Sequence, residues 1–163
     1  RDSLSRERPS ALALTRQTLK ELPKSKAQNM NINKGGYVVF ESSNKPDGII
    51  IASGSEVSIA LQAAMELKDK DLDIRVISMP CQELYERQTA TYKNKCIPKN
   101  FDNILAVESG KGQSWFKYIG KKGSMITMES FGLSGTGNDV MRYFGFTVAN
   151  IKKQMQKLIK KNR

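Results

Sequence analysis

Apolar and polar positions fall along the chain in blocks that read as strands followed by helices. Ala11-Leu12-Ala13-Leu14 is a short apolar run ending in Thr15-Arg16-Gln17, the pattern of a buried strand that delivers polar groups at its C-terminal end. Residues 18–34 are rich in Lys and Asn, contain Pro23 and read as a linker. Gly35-Gly36 breaks the chain before Tyr37-Val38-Val39-Phe40, a strand, and a turn cluster with Pro46 and Asp47 follows. Ile49-Ile50-Ile51-Ala52 is aliphatic at every position, which predicts a strand buried on both faces. Val57, Leu61, Ala64 and Met65 then recur at helical spacing, with Ser55 placed as an N-cap and Glu56 in the first turn.

The alternation continues. Residues 74–79 predict a strand stopped by Pro80, residues 81–88 a short helix and residues 104–107 a strand. Residues 115–119 read as helical, residues 125–128 as a last strand, residues 132–137 as a loop with three glycines and residues 138–144 as a short helix. Thr147 is placed to cap the final helix, in which Val148, Ile151, Met155, Leu158 and Ile159 make one apolar stripe. Strands and helices at this spacing predict βαβ units: an α/β fold with a doubly wound, mainly parallel sheet flanked by helices, preceded by an N-terminal extension. Such sheets hold ligands at the C-terminal ends of their strands. That directs attention to Ser53-Gly54-Ser55, Ser78-Met79-Pro80, Glu108-Ser109-Gly110 and Arg16.

Composition narrows the chemistry. The 163 residues include no histidine, so Ser-His-Asp and Cys-His arrangements, histidine-ligated zinc and a histidine general base are excluded within this chain. Two cysteines, Cys81 and Cys96, are too few for a disulfide framework and fit a reducing compartment. No apolar run approaches the roughly 18 residues of a membrane helix, and the charged start (Arg1 to Pro9) does not read as a signal peptide. The chain opens without Met, as a piece of a longer protein would. The net charge of +11 is concentrated at the ends: residues 1–34 carry +5, residues 151–163 carry +6, and the body between is neutral. A nucleic-acid fold usually carries its basic stripe on the folded body, so the expectation is solvated charge and no specific nucleic-acid partner.

Most single features favour ordinary structural roles. Gly54 lies between a strand and a helix but without a G-x-G-x-x-G or Walker pattern, so it reads as a turn glycine. The glycine-rich loop at 133–137 lacks a lysine for phosphate. Cys81 has no partner base and reads as a packed or surface thiol. Glu83 and Glu86 read as exposed helix carboxylates, Glu108 at a strand end stands out among the acids, and Trp115, Phe116 and Tyr118 read as packing residues. Arg16 is different. Directly after a buried strand, its guanidinium would be held rigidly at the sheet's end, a placement suited to bidentate capture of phosphate or carboxylate and otherwise to a structural ion pair.

The ordered set of short stretches resembles the C-terminal part of transketolase. It runs through Arg8-Pro9-Ser10-Ala11-Leu12-Ala13-Leu14-Thr15-Arg16-Gln17, Gly35-Gly36-Tyr37-Val38, Ala52-Ser53-Gly54-Ser55-Glu56-Val57 and Val76-Ile77-Ser78-Met79-Pro80. It continues with Val107-Glu108-Ser109-Gly110, Trp115-Phe116-Lys117-Tyr118-Ile119-Gly120, Phe131-Gly132 and Phe144-Gly145-Phe146-Thr147. Two departures are visible: Ser134-Gly135-Thr136-Gly137 stands where the family has Ser-Ala-Pro, and Pro80-Cys81 where it has Pro-Ser.

The resemblance implies residues 1–22 as the tail of a thiamine-diphosphate pyrimidine-binding domain, 23–35 as a linker and 36–163 as the C-terminal α/β domain. It implies a parent enzyme of the pentose phosphate pathway, a cytoplasmic homodimer that moves a two-carbon ketol unit between sugar phosphates using thiamine diphosphate with Mg²⁺ or Ca²⁺. It places Arg16 where the family binds the substrate's phosphate, and assigns no catalytic, cofactor or metal residue to this stretch. The piece alone is expected to be inactive, with a structural or dimerisation role. The strand of residues 11–14 would then have no sheet to join. The alternative is a ligand-binding regulatory α/β domain of another thiamine enzyme, such as deoxyxylulose-phosphate synthase.

Overall fold

The computed structural model describes Pro9, residues 11–14, Thr18, Leu19 and residues 31–163. Five strands form one sheet: β1 (Tyr37–Glu41), β2 (Gly48–Ala52), β3 (Ile74–Ser78), β4 (Ile104–Glu108) and β5 (Ser124–Thr127), in the order β1-β3-β2-β4-β5. β2 runs parallel to β3 and to β4, β4 runs parallel to β5, and β1 pairs antiparallel with β3 at one edge. Among the described residues six α-helices flank the sheet: α1 (Glu56–Lys68), α2 (Gln82–Glu86), α3 (Ala90–Cys96), α4 (Phe116–Ile119), α5 (Gly137–Tyr143) and α6 (Val148–Asn162). Short 3-10 turns precede β1 (Ile32–Lys34) and α4 (Gly112–Trp115). The α/β fold with a doubly wound, mainly parallel sheet is as the alternation predicts.

The aliphatic run in β2 is explained by two cores. Ile50 and Ala52 face one side, where α1 and α6 contribute Ala60, Ala64, Leu67, Ile151, Met155 and Leu158. Ile49 and Ile51 face the other, against Tyr85, Cys96, Trp115 and Ile119 from the opposite layer. All four β2 side chains from Ile49 to Ala52 are fully inaccessible. Each such isoleucine contributes about 2 kcal/mol by leaving water. The stripe of α6 packs as expected, and Thr147 Oγ1 accepts from the Asn150 N–H at 3.2 Å to cap it.

Residues 11–14, a strand pattern expected to lack a sheet to join, form no strand: Leu12 and Leu14 are 75% and 84% exposed, and the segment pairs with neither edge strand, β1 or β5. Two other expectations change. Ser55 does not cap α1. It sits in right-handed helical geometry and its hydroxyl donates to Glu56 Oε1 at 2.6 Å. A helix absent from the sequence reading, α3, lies between α2 and β4. No helix among the described residues is long and apolar enough to cross a membrane.

Candidate functional site

The strand order reverses beside β2. The chain leaves β2 through α1 to β3 on one side and crosses back to β4 on the other, opening a crevice above the C-terminal ends of β2 and β4. Register does the rest. Ala52 lies opposite Val107, so the next residues, Ser53 and Glu108, meet at the sheet's end. The Ser53 hydroxyl donates to Glu108 Oε2 at 2.8 Å, and the Gly110 backbone N–H donates to Oε1 at 2.9 Å. Both carboxylate oxygens are thus held in place. Of the four stretches singled out by strand-end reasoning, three converge here: Ser53, Met79, Pro80, Glu108 and Gly110 line one cleft of about 390 Å³, joined by Cys81, Glu83, Lys111 and Trp115. Arg16, the fourth, lies outside the described residues.

The turn glycine and the thiol keep modest roles. Gly54 adopts φ +50°, with open space where a Cβ would stand, so its backbone conformation alone explains it. The Cys81 thiol donates to Glu83 Oε2 at 3.4 Å. Hydrogen bonds from its own backbone N–H and from Cys81 hold the Glu83 carboxyl below the usual carboxylate range. Glu86 pairs with Lys93 and with Lys117, each at 3.2 Å. Burial pushes the Cys96 thiol up, so it packs as a small hydrophobe. Trp115 and Tyr118 are buried packing residues, whereas Phe116 is 61% exposed. The glycine-rich loop at 133–137 is exposed throughout. Among the described residues the cleft offers the hydrogen-bonded pairs Ser53–Glu108 and Cys81–Glu83 and one lysine, Lys111, a set of polar groups able to bind and orient a ligand.

Glu56 is the group that sequence reading undervalued. It opens α1 as a first-turn acid, yet it is 2% exposed. Burial raises its pKa, the Ser55 hydroxyl pulls it back, and the negative Glu108 raises it further. An acid raised on folding holds its proton more tightly in the folded state. Its contribution favours folding below the ordinary carboxylate pKa and is lost as pH rises through the raised value. Glu56→Gln should therefore raise the urea midpoint at pH 7.5 and change it little at pH 3.5. Equal shifts at both pH values would remove the desolvation account.

Comparisons with known proteins place this geometry. The family model described as "Transketolase-like TK C-terminal domain" matches residues 35–147. Transketolase of Aquifex aeolicus is 41% identical over 144 residues, covering 88% of this chain and 21% of the relative. Transketolase of Bacillus subtilis is 38% identical over 159 residues, covering 96% of this chain and 24% of the relative. The crystal structure of Pichia stipitis transketolase in complex with sedoheptulose-7-phosphate superposes with a TM-score of 0.71 at 31% identity, over 78% of this chain and 18% of that one. The chain spans about a fifth to a quarter of the length of the curated relatives it matches. The chain belongs to the transketolase family, with the fold of its C-terminal domain.

Proposed function

We propose that this chain is the C-terminal part of a transketolase, and that the parent enzyme transfers a two-carbon ketol unit from a ketose phosphate to an aldose phosphate in the pentose phosphate pathway. The observation that carries the reading is the family match across residues 35–147, with 41% identity to a curated transketolase. In this reading residues 1–22 close the pyrimidine-binding domain, 23–35 link, and 36–163 form the C-terminal domain of a cytoplasmic homodimer. The parent uses thiamine diphosphate with Mg²⁺ or Ca²⁺, which supplies the carbanion chemistry when bound.

The residues present here do not fit that group. The chain has no histidine, and among the described residues no cluster of three or more Cys, Asp or Glu side chains is able to hold a metal ion. In this reading no catalytic step is assigned to this chain; apart from Arg16, its role is structural, in support of the parent and its dimer. Purified alone with thiamine diphosphate, Mg²⁺ and sugar phosphates, it should show no ketol transfer. Turnover by the isolated chain would overturn the reading.

Arg16 is the one residue given a substrate role. A sugar phosphate is a dianion, and an arginine that grips it far from the reacting carbons supplies binding energy and positions the carbonyl. In the full-length enzyme Arg16→Ala should raise KM for phosphorylated substrates about 10- to 100-fold, as expected for losing a charge-assisted pair of ~1.5–3 kcal/mol. Unchanged steady-state kinetics would take Arg16 out of the site.

A further inference from the structure

We infer that the outer face of α6 binds the phosphate backbone of a nucleic-acid duplex, without regard to base sequence. The surface is independent of the ketol-transfer reading.

Residues 151–163 carry six Lys and Arg and no Asp or Glu. They belong to the folded body: α6 runs through them, and Ile151, Met155, Leu158 and Ile159 fix one side of the helix in the core. What remains outside is uniform. From Lys153 onward every exposed residue of α6 is a lysine or a glutamine: Lys153, Gln156, Lys157, Lys160 and Lys161. At 3.6 residues per turn and 1.5 Å per residue, the four lysines share an arc of about 100° and about 12 Å of helix.

The cations on either side of this row are already paired. Lys152 binds Glu66 of α1, and Arg163 lies 3.9 Å from Asp47. Among the described residues no ion pair holds Lys153, Lys157, Lys160 or Lys161. Lysines three and four apart on a helix repel one another. The buried side of α6 keeps them together, and a polyanion relieves the repulsion.

The bareness of the row selects its partner. A protein interface needs an apolar centre and is depleted in lysine. A membrane-surface helix needs a free apolar face, and that of α6 is buried in the core. The exposed face of α6 has no aromatic ring to stack on single-stranded bases and no arginine fork to read base edges. A lysine row does match a dense, regular line of negative charge. Duplex DNA carries one charge about every 1.7 Å of axis, and each neutralised phosphate releases condensed counterions. Because the contact is to phosphate alone, DNA and RNA duplexes are bound in the same way.

The test is fluorescence anisotropy of a labelled DNA duplex of about 20 base pairs, titrated with the whole chain at several salt concentrations. Four phosphate contacts should give a log–log salt slope of about −3.6, a roughly 150-fold loss of affinity between about 50 and 200 mM KCl. Lys157→Gln alone should reduce that slope by about one. Replacing Lys153, Lys157, Lys160 and Lys161 together by Gln should weaken binding at about 50 mM KCl by at least about tenfold and leave the unfolding midpoint unchanged. An RNA duplex should bind with a similar slope. Absence of binding at the lowest salt would overturn the inference. Undiminished binding by the quadruple variant would move the contact to the basic N-terminal residues and overturn it too. A preference of more than about tenfold for one base sequence over its scramble would refute recognition by phosphate alone. Tighter binding to vesicles of phosphatidylserine and phosphatidylcholine than to the duplex would make the partner a lipid surface and equally sink the proposal.

Discussion

Gly35→Ala should destabilise the domain by about 3 kcal/mol, whereas Gly54→Ala should cost about 1 kcal/mol. Both glycines have positive φ, +76° at Gly35 and +50° at Gly54, so both substitutions meet the left-handed penalty of roughly 1–2 kcal/mol. They differ in what surrounds the new methyl group. At Gly54 nothing lies within reach. At Gly35 it would stand 2.3 Å from the Cys81 carbonyl oxygen and 2.5 Å from both the Tyr85 nitrogen and Leu84 Cβ. Two of those three are backbone atoms at the start of α2 and cannot rotate away.

The contact is also tied by hydrogen bonds. The Cys81 N–H donates to the Gly35 carbonyl at 3.0 Å, and the Tyr92 hydroxyl donates to the Gly36 carbonyl at 2.9 Å. Relief of the clash must pull the start of β1 away from α2 and α3. Since domains of this kind are stable by only about 5–15 kcal/mol, the loss should be plain in urea denaturation followed by circular dichroism. A Gly35→Ala midpoint equal to that of Gly54→Ala would show that α2 yields easily.

The layout of the sheet and the meeting point of its strand ends were legible in the sequence because both follow from period and punctuation. An uninterrupted aliphatic run such as Ile49-Ile50-Ile51-Ala52 has no other stable home than a strand covered on two sides. Strand ends followed by Ser-Gly or Ser-Gly-Lys then mark the crevice. What escaped was set by distant partners. α3 has only Cys96 buried, so it shows no apolar stripe. Its one local signal is Thr89, whose hydroxyl accepts from the Tyr92 N–H at 3.2 Å. Ser55 looked like a cap by type and position, but the left-handed Gly54 turn starts the helix early, with the Glu56 N–H donating to the Ser53 carbonyl. The bond from Ser53 to Glu108 spans 55 positions, and nothing local announces it. The apolar residues 11–14 show the converse: as expected for a piece without its sheet, a strand pattern is satisfied only when a second strand is supplied.

Arg75→Met should cost about 3 kcal/mol, and Arg75→Lys should recover little of it. Arg75 is the second residue of β3, among aliphatic residues, and is 6% exposed. Pairing with β1 sets it opposite Glu41, whose Oε1 accepts from Nε at 2.7 Å and from Nη2. Its Nη1 donates to the carbonyls of Lys95 and Cys96, each at 3.0 Å. Those carbonyls belong to the last turn of α3, where helix backbone acceptors have no intrahelical partner and negative dipole charge gathers. One guanidinium thus closes the end of a helix that has almost no apolar face of its own, and neutralises a carboxylate beside it. Methionine matches the stem but supplies no donors. Lysine carries the charge as a point and cannot reach three acceptors in the fork geometry. The expected cost stays at the low end for a broken buried pair because the Glu41 side chain is 32% exposed and water screens part of its charge. Adding Glu41→Leu to Arg75→Met should restore part of the loss by removing the carboxylate's need for the cation, while the two carbonyls still want a donor. The double-mutant cycle separates the contributions: strict additivity would mean that the ion pair carries nothing and that the helix end alone requires Arg75. Loss of α3 would propagate to the opposite-face core, where Cys96 packs with Trp115 in the wall of the crevice. A buried arginine in an aliphatic strand therefore links helix closure, sheet edge and crevice shape, and Trp115 fluorescence should report its removal before the sheet itself unfolds.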